Sequence, residues 1–239
     1  EITTRLVGSE MCIRDSYYSY GGGFCADGNI SVNKKYYLKD KCTFDICFVG
    51  FRYCLQGRDK GFDIVLDVAE KLVTQYPFVH FHFVGDNRLT DFPVGKYAKI
   101  RKNLHFYGVQ EPSFFNTFYD CMDLALSPNR ANILKQGMFD GFPLQSESMK
   151  YGTALFVADP LKMNDAFEDG KDIVIINHDA NDIVEKIERY IQNPSELYKI
   201  AENGRKTFLK YFGRKHQEEE RVYFIEKYLG VKINKKEKL

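Results

Sequence analysis

Short apolar runs alternate with longer stretches of helical periodicity through the middle of the chain. Residues 44–49 (FDICFV) are apolar and end at Gly50, whereas residues 61–76 repeat apolar side chains three and four positions apart. The first pattern is typical of a buried strand, and the second of a helix with one face in a core. The alternation continues with predicted strands at 78–84, 104–107, 124–126, 155–158 and 173–176, and with predicted helices at 112–121, 143–151 and 182–192. This order predicts an α/β fold, a Rossmann-like parallel sheet with helices on both faces.

The two ends of the chain lack this alternation. Residues 1–16 include RLVGSEMCIRDS, which fits neither period and resembles translated sequencing-adapter sequence, so we interpret them as a non-native leader. Residues 17–43 are rich in Gly, Tyr, Asn and Lys and are predicted to be a linker. The Rossmann-like domain is predicted over 44–204, a carboxyl-terminal helix over 205–229, and a solvated basic tail over 230–239.

Charge and composition narrow the classes of function. The 34 Lys and Arg residues nearly balance the 33 Asp and Glu residues, for a net charge of +1, which argues against a nucleic-acid partner. No apolar run approaches the roughly 20 residues of a transmembrane helix. The six cysteines form no CxxC pair, so we expect free thiols and a cytoplasmic location.

Polar or glycine-rich loops follow four of the predicted strands. These loops are residues 50–60, 85–86, 127–142 and 159–170. In an open parallel sheet, ligands bind at the carboxyl ends of the strands, so the four loops should line one crevice.

Three cations lie in the loop that follows the first strand. Arg52 and Arg58 offer planar guanidinium groups and Lys60 offers an ammonium group, and both kinds of group suit phosphate oxygens. The loop is therefore predicted to hold a diphosphate. A solvated basic loop is the alternative interpretation.

The segment GMFDGFPLQSESMKYG, residues 137–152, is the most informative. Gly141 lets the backbone approach a ligand, and Pro143 suits the first turn of a helix. The amino end of that helix would direct unpaired N–H groups at an anion. Glu147, about one turn inside the helix, could accept hydrogen bonds from ribose hydroxyls, or it could be a solvated helix carboxylate.

The spacing of the histidines and the absence of three common sequence motifs argue against several other functions. His80 and His82 share one face of a strand, but no third ligand is evident, so we interpret them as packing residues rather than a metal site. His105 and His178 are interpreted in the same way. The sequence has no GxGxxG after the first strand, no P-loop motif and no GxSxG, which argues against NAD-type, P-loop and serine-hydrolase functions.

Taken in order, these segments resemble the carboxyl-terminal half of a GT-B glycosyltransferase of family four. Gly50, Arg52 and Lys60-Gly61 stand where that family has "G-R…K-G", and Val84-Gly85-Asp86-Asn87 stands where it has "VGDG". The strands in NLHFYG and MDLALSPN match the next two family motifs, and DGFPLQSESMKYG mirrors the hallmark "EGFGLxxxEAMACG". The family's closing helices resemble residues 197–229.

The resemblance implies a hexosyltransferase that uses a UDP- or GDP-sugar, retains the anomeric configuration and needs neither a metal ion nor another cofactor. It makes Lys60, Arg52 and Asp140 the catalytic residues, with Arg58 competing for the role of the arginine. Glu147 would contact the ribose. The remaining substrate-binding positions carried over are Gly50, Gly85, Asp86, Val109, Gly141, Phe142, Pro143 and Leu144.

The chain also departs from the family pattern. Asp140 replaces a glutamate and is separated from Glu147 by six residues rather than seven, and the first loop is longer. The family's amino-terminal acceptor-binding domain is missing, and GGGF at 21–24 resembles the region that joins the two halves.

We therefore expect a donor-binding half that is inactive alone. The full-length protein would act in polysaccharide biosynthesis, and it could associate peripherally with a membrane. The alternatives are a nucleotide-binding module without transferase activity and an NAD-type or flavodoxin-like domain, the latter disfavoured by the absent glycine motif.

Overall fold

The computed structural model describes residues 32–130, 147–160, 162 and 164–229, without the side chains of 214–217 and 220. Six strands form one sheet: β1 (Phe44–Val49), β2 (Val79–Val84), β3 (Leu104–Gly108), β4 (Leu124–Ser127), β5 (Ala154–Ala158) and β6 (Val174–Ile176). Every neighbouring pair is parallel, and the strand order is β3-β2-β1-β4-β5-β6. The predicted α/β fold with a Rossmann-like sheet is confirmed. The direction in which the chain adds strands reverses between the neighbouring strands β1 and β4. The carboxyl ends of these two strands are therefore the topological switch point.

In the part of the chain that the structure describes, six α-helices accompany the strands: α1 (Phe62–Gln75), α2 (Phe115–Phe118), α3 (Glu147–Lys150), α4 (Ala180–Gln192), α5 (Pro194–Phe212) and α6 (Arg214–Leu229). Helix α1 forms because Ile64, Val68 and Leu72 recur on one face and are buried. Helix α4 begins where the Asp179 carboxylate accepts hydrogen bonds from the N–H groups of the next turn, at 2.7 and 3.4 Å.

Two predicted helices differ from the structure. The segment predicted at 112–121 is helical only over α2, with 3₁₀ turns at Pro112–Phe114 and Tyr119–Cys121. The single helix predicted over 205–229 is two helices, because α5 ends at Phe212 and α6 begins at Arg214. Gly213 lies between them, and glycine is a poor helix former. The predicted helix at 143–151 lies partly outside the described residues.

Aromatic side chains dominate the core on one face of β1 and β2. The ring centroids of Phe62 and Phe83 are 5.3 Å apart in an edge-to-face arrangement, and Phe48 lies within 6.3 Å of both. All three side chains are almost fully buried. This packing fixes α1 across β1 and β2 and so places the loop between β1 and α1 at the carboxyl edge of the sheet.

The prediction of a linker over 17–43 is wrong for its described part, residues 32–43. Tyr37 is buried and stacks on Phe78 at 5.3 Å, and its N–H donates to the Asp123 carboxylate at 3.0 Å. The Lys34 ammonium donates to the carbonyl of Tyr119 and to the Thr153 hydroxyl, both at 2.7 Å. The segment is polar in composition, yet the Lys34 ammonium and the Tyr37 N–H are hydrogen-bonded to groups of the domain.

A buried polar cluster lies where β1 and β4 begin. The Lys41 ammonium contacts the carboxylates of Asp45, at 2.5 Å, and Asp123, and His82 Nε2 donates to Asp45 at 2.8 Å. Burial alone would raise the pKa of Asp45, but the hydrogen bond from His82 and the charge of Lys41 outweigh it and hold that pKa well below its usual range. Burial lowers the pKa of the neighbouring Lys34 to about 8.

The described residues divide into two compact units, one within 28–209 and a second that includes 210–229. In the second unit, α6 exposes Tyr223, Ile225 and Tyr228. The predicted leader at 1–16 and the predicted basic tail at 230–239 lie outside the described residues. No helix in the described part of the chain is long and apolar enough to span a membrane.

Candidate functional site

The residues that follow β1 and β2 are hydrogen-bonded to each other and to the last residues of β2 and β3, at the carboxyl edge of the sheet. The N–H of Gly50 donates to the carbonyl of Val84 at 3.0 Å, and the N–H of Gly85 donates to the carbonyl of Gly108 at 2.8 Å. The Asn87 amide donates to the Gly50 carbonyl at 2.9 Å. Gly85 has a φ of 117°, and a β-carbon there would lie less than 3.0 Å from the Gly50 carbonyl oxygen. Only glycine permits this approach, so the predicted positions Gly50 and Gly85 come together.

At the switch point, the end of β4 packs against the loop that leads into α1. The N–H of Arg130 donates to the carbonyl of Asp59 at 3.1 Å. The guanidinium of Arg130 donates to the Asp63 carboxylate at 2.7 Å and to the Arg58 carbonyl at 2.9 Å. These contacts fix the position of residues 58–63 relative to β4.

Residues 51–56 alternate between inward and outward side chains. Phe51, Tyr53 and Leu55 are exposed, whereas Arg52, Cys54 and Gln56 point inward and have partners. The Cys54 thiol donates to the Asp59 carboxylate at 3.1 Å, and the Gln56 amide donates to the Asp91 carbonyl at 3.2 Å. Burial raises the pKa of the Cys54 thiol, which keeps the thiol protonated and therefore a donor.

Arg52 is bound by two carboxylates of the loop that follows β2. Its backbone N–H and its Nε donate to Asp86 at 3.0 and 3.3 Å, and its Nη1 forms an ion pair with Asp91. Arg52 and Asp86, which were both predicted as site residues, are therefore hydrogen-bonded to each other. An incoming anion would have to compete with both carboxylates for this guanidinium group.

Lys60 is the most enclosed cation of the loop. It is only 7% exposed, and its ammonium lies 5.2 Å from the centroid of the Tyr53 ring. The backbone N–H of Tyr53 donates to both oxygens of Asp59 at 3.3 Å, which fixes the backbone beside Lys60. By contrast, the Arg58 side chain is exposed and forms no ion pair with any described residue.

Glu147 forms an ion pair with Lys150 at 2.9 Å. Burial opposes protonation of Lys150, but its hydrogen bond with Glu147 outweighs burial and raises the pKa of that ammonium group. The Glu147 carboxylate is partly exposed and so still accessible to a second hydrogen-bond donor. Val109 is exposed beyond the end of β3.

Five predicted site residues lie outside the described part of the chain, namely Asp140, Gly141, Phe142, Pro143 and Leu144. The structure also brings in residues that the sequence analysis did not assign to the site: Asn87, Asp59, Asp63 and Arg130. Asn87 could have been suspected, because it directly follows the Gly85-Asp86 turn. Arg130 and Asp63 are 67 positions apart, and no local pattern signals their pairing.

In chemical terms, the described site offers the side-chain cations Lys60 and Arg58 at a switch point. Such an arrangement can hold an anionic group and offset its charge. Among the residues that the structure describes, no group of three or more His, Cys, Asp or Glu side chains is arranged to hold a metal ion.

Comparisons with known proteins identify the kind of domain to which this site belongs. The family model for glycosyl transferases group 1 matches residues 47–207. No curated protein matches the chain.

Solved structures with the same fold include other glycosyl transferases. The carboxyl-terminal domain of a group 1 glycosyl transferase, LpcC, from Francisella tularensis has 18% identity and a TM-score of 0.58, over 71% of this chain and 86% of that one. Sucrose-phosphate synthase from Thermosynechococcus elongatus has 15% identity and a TM-score of 0.60, over 79% and 46%. Anabaena HepE in complex with UDP and glucose has 16% identity and a TM-score of 0.56, over 77% and 48%.

The chain thus spans less than half the length of the last two of these proteins, whereas it covers most of the isolated carboxyl-terminal domain. Its sheet order, its switch-point loops and the matched residues 47–207 all agree with the expected half of a GT-B fold. The chain belongs to the glycosyl transferases group 1 family.

Proposed function

We propose that this chain is the donor-binding half of a hexosyltransferase that uses a UDP- or GDP-sugar. The observation that carries the proposal is the position of Lys60, which lies on the loop between β1 and α1, at the switch point of the sheet. Ligands of doubly wound sheets bind at this position. Family membership makes a nucleotide sugar the expected ligand.

In this proposal, Lys60 and Arg58 hold the donor diphosphate. Arg58 is favoured over Arg52 because its side chain is exposed and unpaired among the described residues, whereas Arg52 is bound to Asp86 and Asp91. Arg52 instead fastens the loop after β1 to the loop after β2. The cations offset charge that develops on the leaving diphosphate, so they stabilise the transition state as well as the bound donor.

Glu147 contacts the donor ribose through the carboxylate oxygen that is not paired with Lys150. Asp140 lies near the donor sugar, and Gly141, Phe142, Pro143 and Leu144 line the donor, as the family resemblance implies. Retention of anomeric configuration and independence from metal ions and other cofactors rest on the same resemblance.

The solved relatives support a nucleotide donor and a second domain. HepE was crystallised with UDP and glucose and with UDP-glucose, and this chain covers 48% and 49% of those two HepE chains. We infer that an amino-terminal domain binds the acceptor and that this chain alone does not transfer sugar. The free cysteines of the described part, Cys42, Cys47, Cys54 and Cys121, are compatible with a reducing cytoplasm.

Calorimetric titration of the chain with UDP, GDP and NAD tests the proposal. We expect UDP or GDP to bind and NAD to fail. Lys60→Ala should weaken nucleotide binding about ten- to a hundredfold, because one charge-assisted contact is lost. Lys71→Ala removes an exposed lysine from the middle of α1 and is the matched control, which should bind like wild type. Glu147→Gln should weaken binding less than Lys60→Ala, since an amide oxygen still accepts a hydrogen bond.

Equal binding by wild type and Lys60→Ala, with both folded, would refute the phosphate assignment. Tight binding of NAD in place of UDP and GDP would favour the dinucleotide alternative. The binding-module alternative predicts the same titration results. Only a measurement of transferase activity distinguishes it from the proposed function. If the chain joined to its amino-terminal domain still releases no UDP or GDP from the sugar nucleotide that it binds, the protein is a nucleotide-binding module.

A further inference from the structure

The ring of Tyr53 lies over Lys60, the most enclosed cation of the loop between β1 and α1. Tyr53 is 58% exposed, whereas Lys60 beneath it is 7% exposed, and the Lys60 ammonium is 5.2 Å from the ring centroid. This distance is within the roughly 6 Å range of a cation–π contact. The π-face of the ring therefore occupies space next to the ammonium that a phosphate oxygen would also need.

The loop geometry fixes the backbone of Tyr53 while leaving the ring at the surface. The flanking side chains, Arg52 and Cys54, point inward and are bound by carboxylates. The N–H of Tyr53 itself donates to Asp59. Because the anchors on both sides hold the backbone, the ring can leave Lys60 by side-chain rotation, without unfolding the loop.

We propose that Tyr53 is a cap on Lys60, and that a phosphate group reaches the Lys60 ammonium only when the Tyr53 ring rotates away. The ring contacts the ammonium while the donor site is empty, and the donor diphosphate replaces that contact. Tyr53 is thus a positioning residue for the donor. The identity of the displacing anion rests on the proposed function, whereas the covering of Lys60 by the ring does not.

Displacement of the Tyr53 ring should weaken the binding of the ligand by a predictable factor. A cation–π contact at an exposed site holds back a competing ligand by about two- to fivefold. Removal of the ring should therefore expose Lys60 and tighten the binding of the diphosphate. A ring that instead served as a platform for the donor would give the opposite result, because its removal would weaken binding.

Two measurements on the full chain test the cap. The first is the rate at which acetic anhydride acetylates Lys60, followed by peptide mass spectrometry without any ligand. The second is calorimetric titration with UDP and GDP. Tyr53→Ala should raise the rate of Lys60 acetylation and tighten nucleotide binding, each by about two- to fivefold. Tyr53→Phe keeps the ring and should restore slow acetylation.

Phe51→Ala is the matched control, since it removes an exposed ring from the same loop without touching the contact between Tyr53 and Lys60. It should leave acetylation of Lys60 at the wild-type rate. Unchanged acetylation in Tyr53→Ala would overturn the cap, and so would weaker nucleotide binding in that variant. Faster acetylation together with no nucleotide binding by any variant would support the covering of Lys60 and refute the proposed function instead.

Discussion

Gly61 lies so close to Pro128 that a β-carbon on Gly61 would stand less than 3.0 Å from the proline carbonyl oxygen. Gly61 also has a φ of 77°, in the left-handed region. The contact joins the start of α1 to the end of β4, the two elements that meet at the switch point. Backbone proximity, together with the hydrogen bonds of the Arg130 side chain, therefore fixes the spacing between the start of α1 and the end of β4.

Gly61→Ala should destabilise the fold by about 2–4 kcal/mol, because the new methyl group combines left-handed strain with a backbone clash. The measurement is the free energy of unfolding from urea denaturation. Gly95→Ala is the matched control, since Gly95 has a φ of 82° but nothing within 4 Å of the added carbon. It should cost only about 1–2 kcal/mol, from strain alone. Equal losses in the two variants would contradict the close approach.

Substitution of Arg52 should mainly lower the stability of the fold, whereas substitution of Arg58 should mainly weaken nucleotide binding. Arg52→Ala leaves the partly buried carboxylate of Asp91 without its ion-pair partner and should lower the free energy of unfolding by about 1–3 kcal/mol. Arg58→Ala removes an exposed side chain and should change stability by less than about 0.5 kcal/mol. In calorimetric titration, Arg58→Ala should weaken UDP or GDP binding about ten- to a hundredfold. A stable Arg52→Ala variant with the larger binding defect would reverse the assignment of the two arginines.

The histidine pair on β2 and β3 should make the fold sensitive to mild acid. His80 Nδ1 and His105 Nε2 are 2.9 Å apart, and this hydrogen bond needs one nitrogen without a proton. Burial lowers the pKa of both rings below the usual 6.5. The charged or titratable groups that act on the pair are Asp45, which opposes the shift, and His82, Lys41, Arg101 and Lys102, which add to it.

Because the pKa values are lower in the folded state, the unfolded state binds more protons as the pH falls below about 6.5. The contribution of the two histidines to the free energy of unfolding is therefore fully present above that pH. It decreases as the pH falls toward their pKa values in the folded state. The urea midpoint should be lower at about pH 5.5 than at about pH 7.5. His105→Gln can still hydrogen-bond to His80 but does not titrate, so it should lose less stability over this range. Equal loss in wild type and in His105→Gln would exclude the pair.

Tyr37 should contribute substantially to stability although it lies in a segment that reads as a linker. Its ring is buried against Phe78 and Phe44, with centroids 5.3 and 5.6 Å away. Tyr37→Ala should lower the free energy of unfolding by about 3–5 kcal/mol, as for other large aromatic truncations in cores. Leu38→Ala, at the adjacent exposed position, is the control and should change stability by less than about 0.5 kcal/mol. A Tyr37→Ala protein as stable as wild type would restore the linker interpretation.

The local pattern of the sequence was sufficient for the order and type of the main elements. Apolar runs such as 44–49 and the helical spacing of 61–76 predict β1 and α1 within a residue or two, because the repeat of buried side chains is a local property of the chain. The same order of elements predicts the parallel sheet and its ligand edge. The short motifs that carried the family resemblance lie at strand ends, where glycine and charge are visible without coordinates.

Only the tertiary structure decided which partner each polar group has. The sequence shows Arg52 and Arg58 as equivalent cations, and their difference arises because Asp86 and Asp91 come from another loop. Residues 32–43 look like a linker because their buried contacts, such as Lys34 with the carbonyl of Tyr119, join positions 85 apart. The enclosure of Lys60 under Tyr53 likewise depends on the folded loop. Charge pairing and burial of polar groups depend on distances across the fold, and a one-dimensional periodicity contains no such distances.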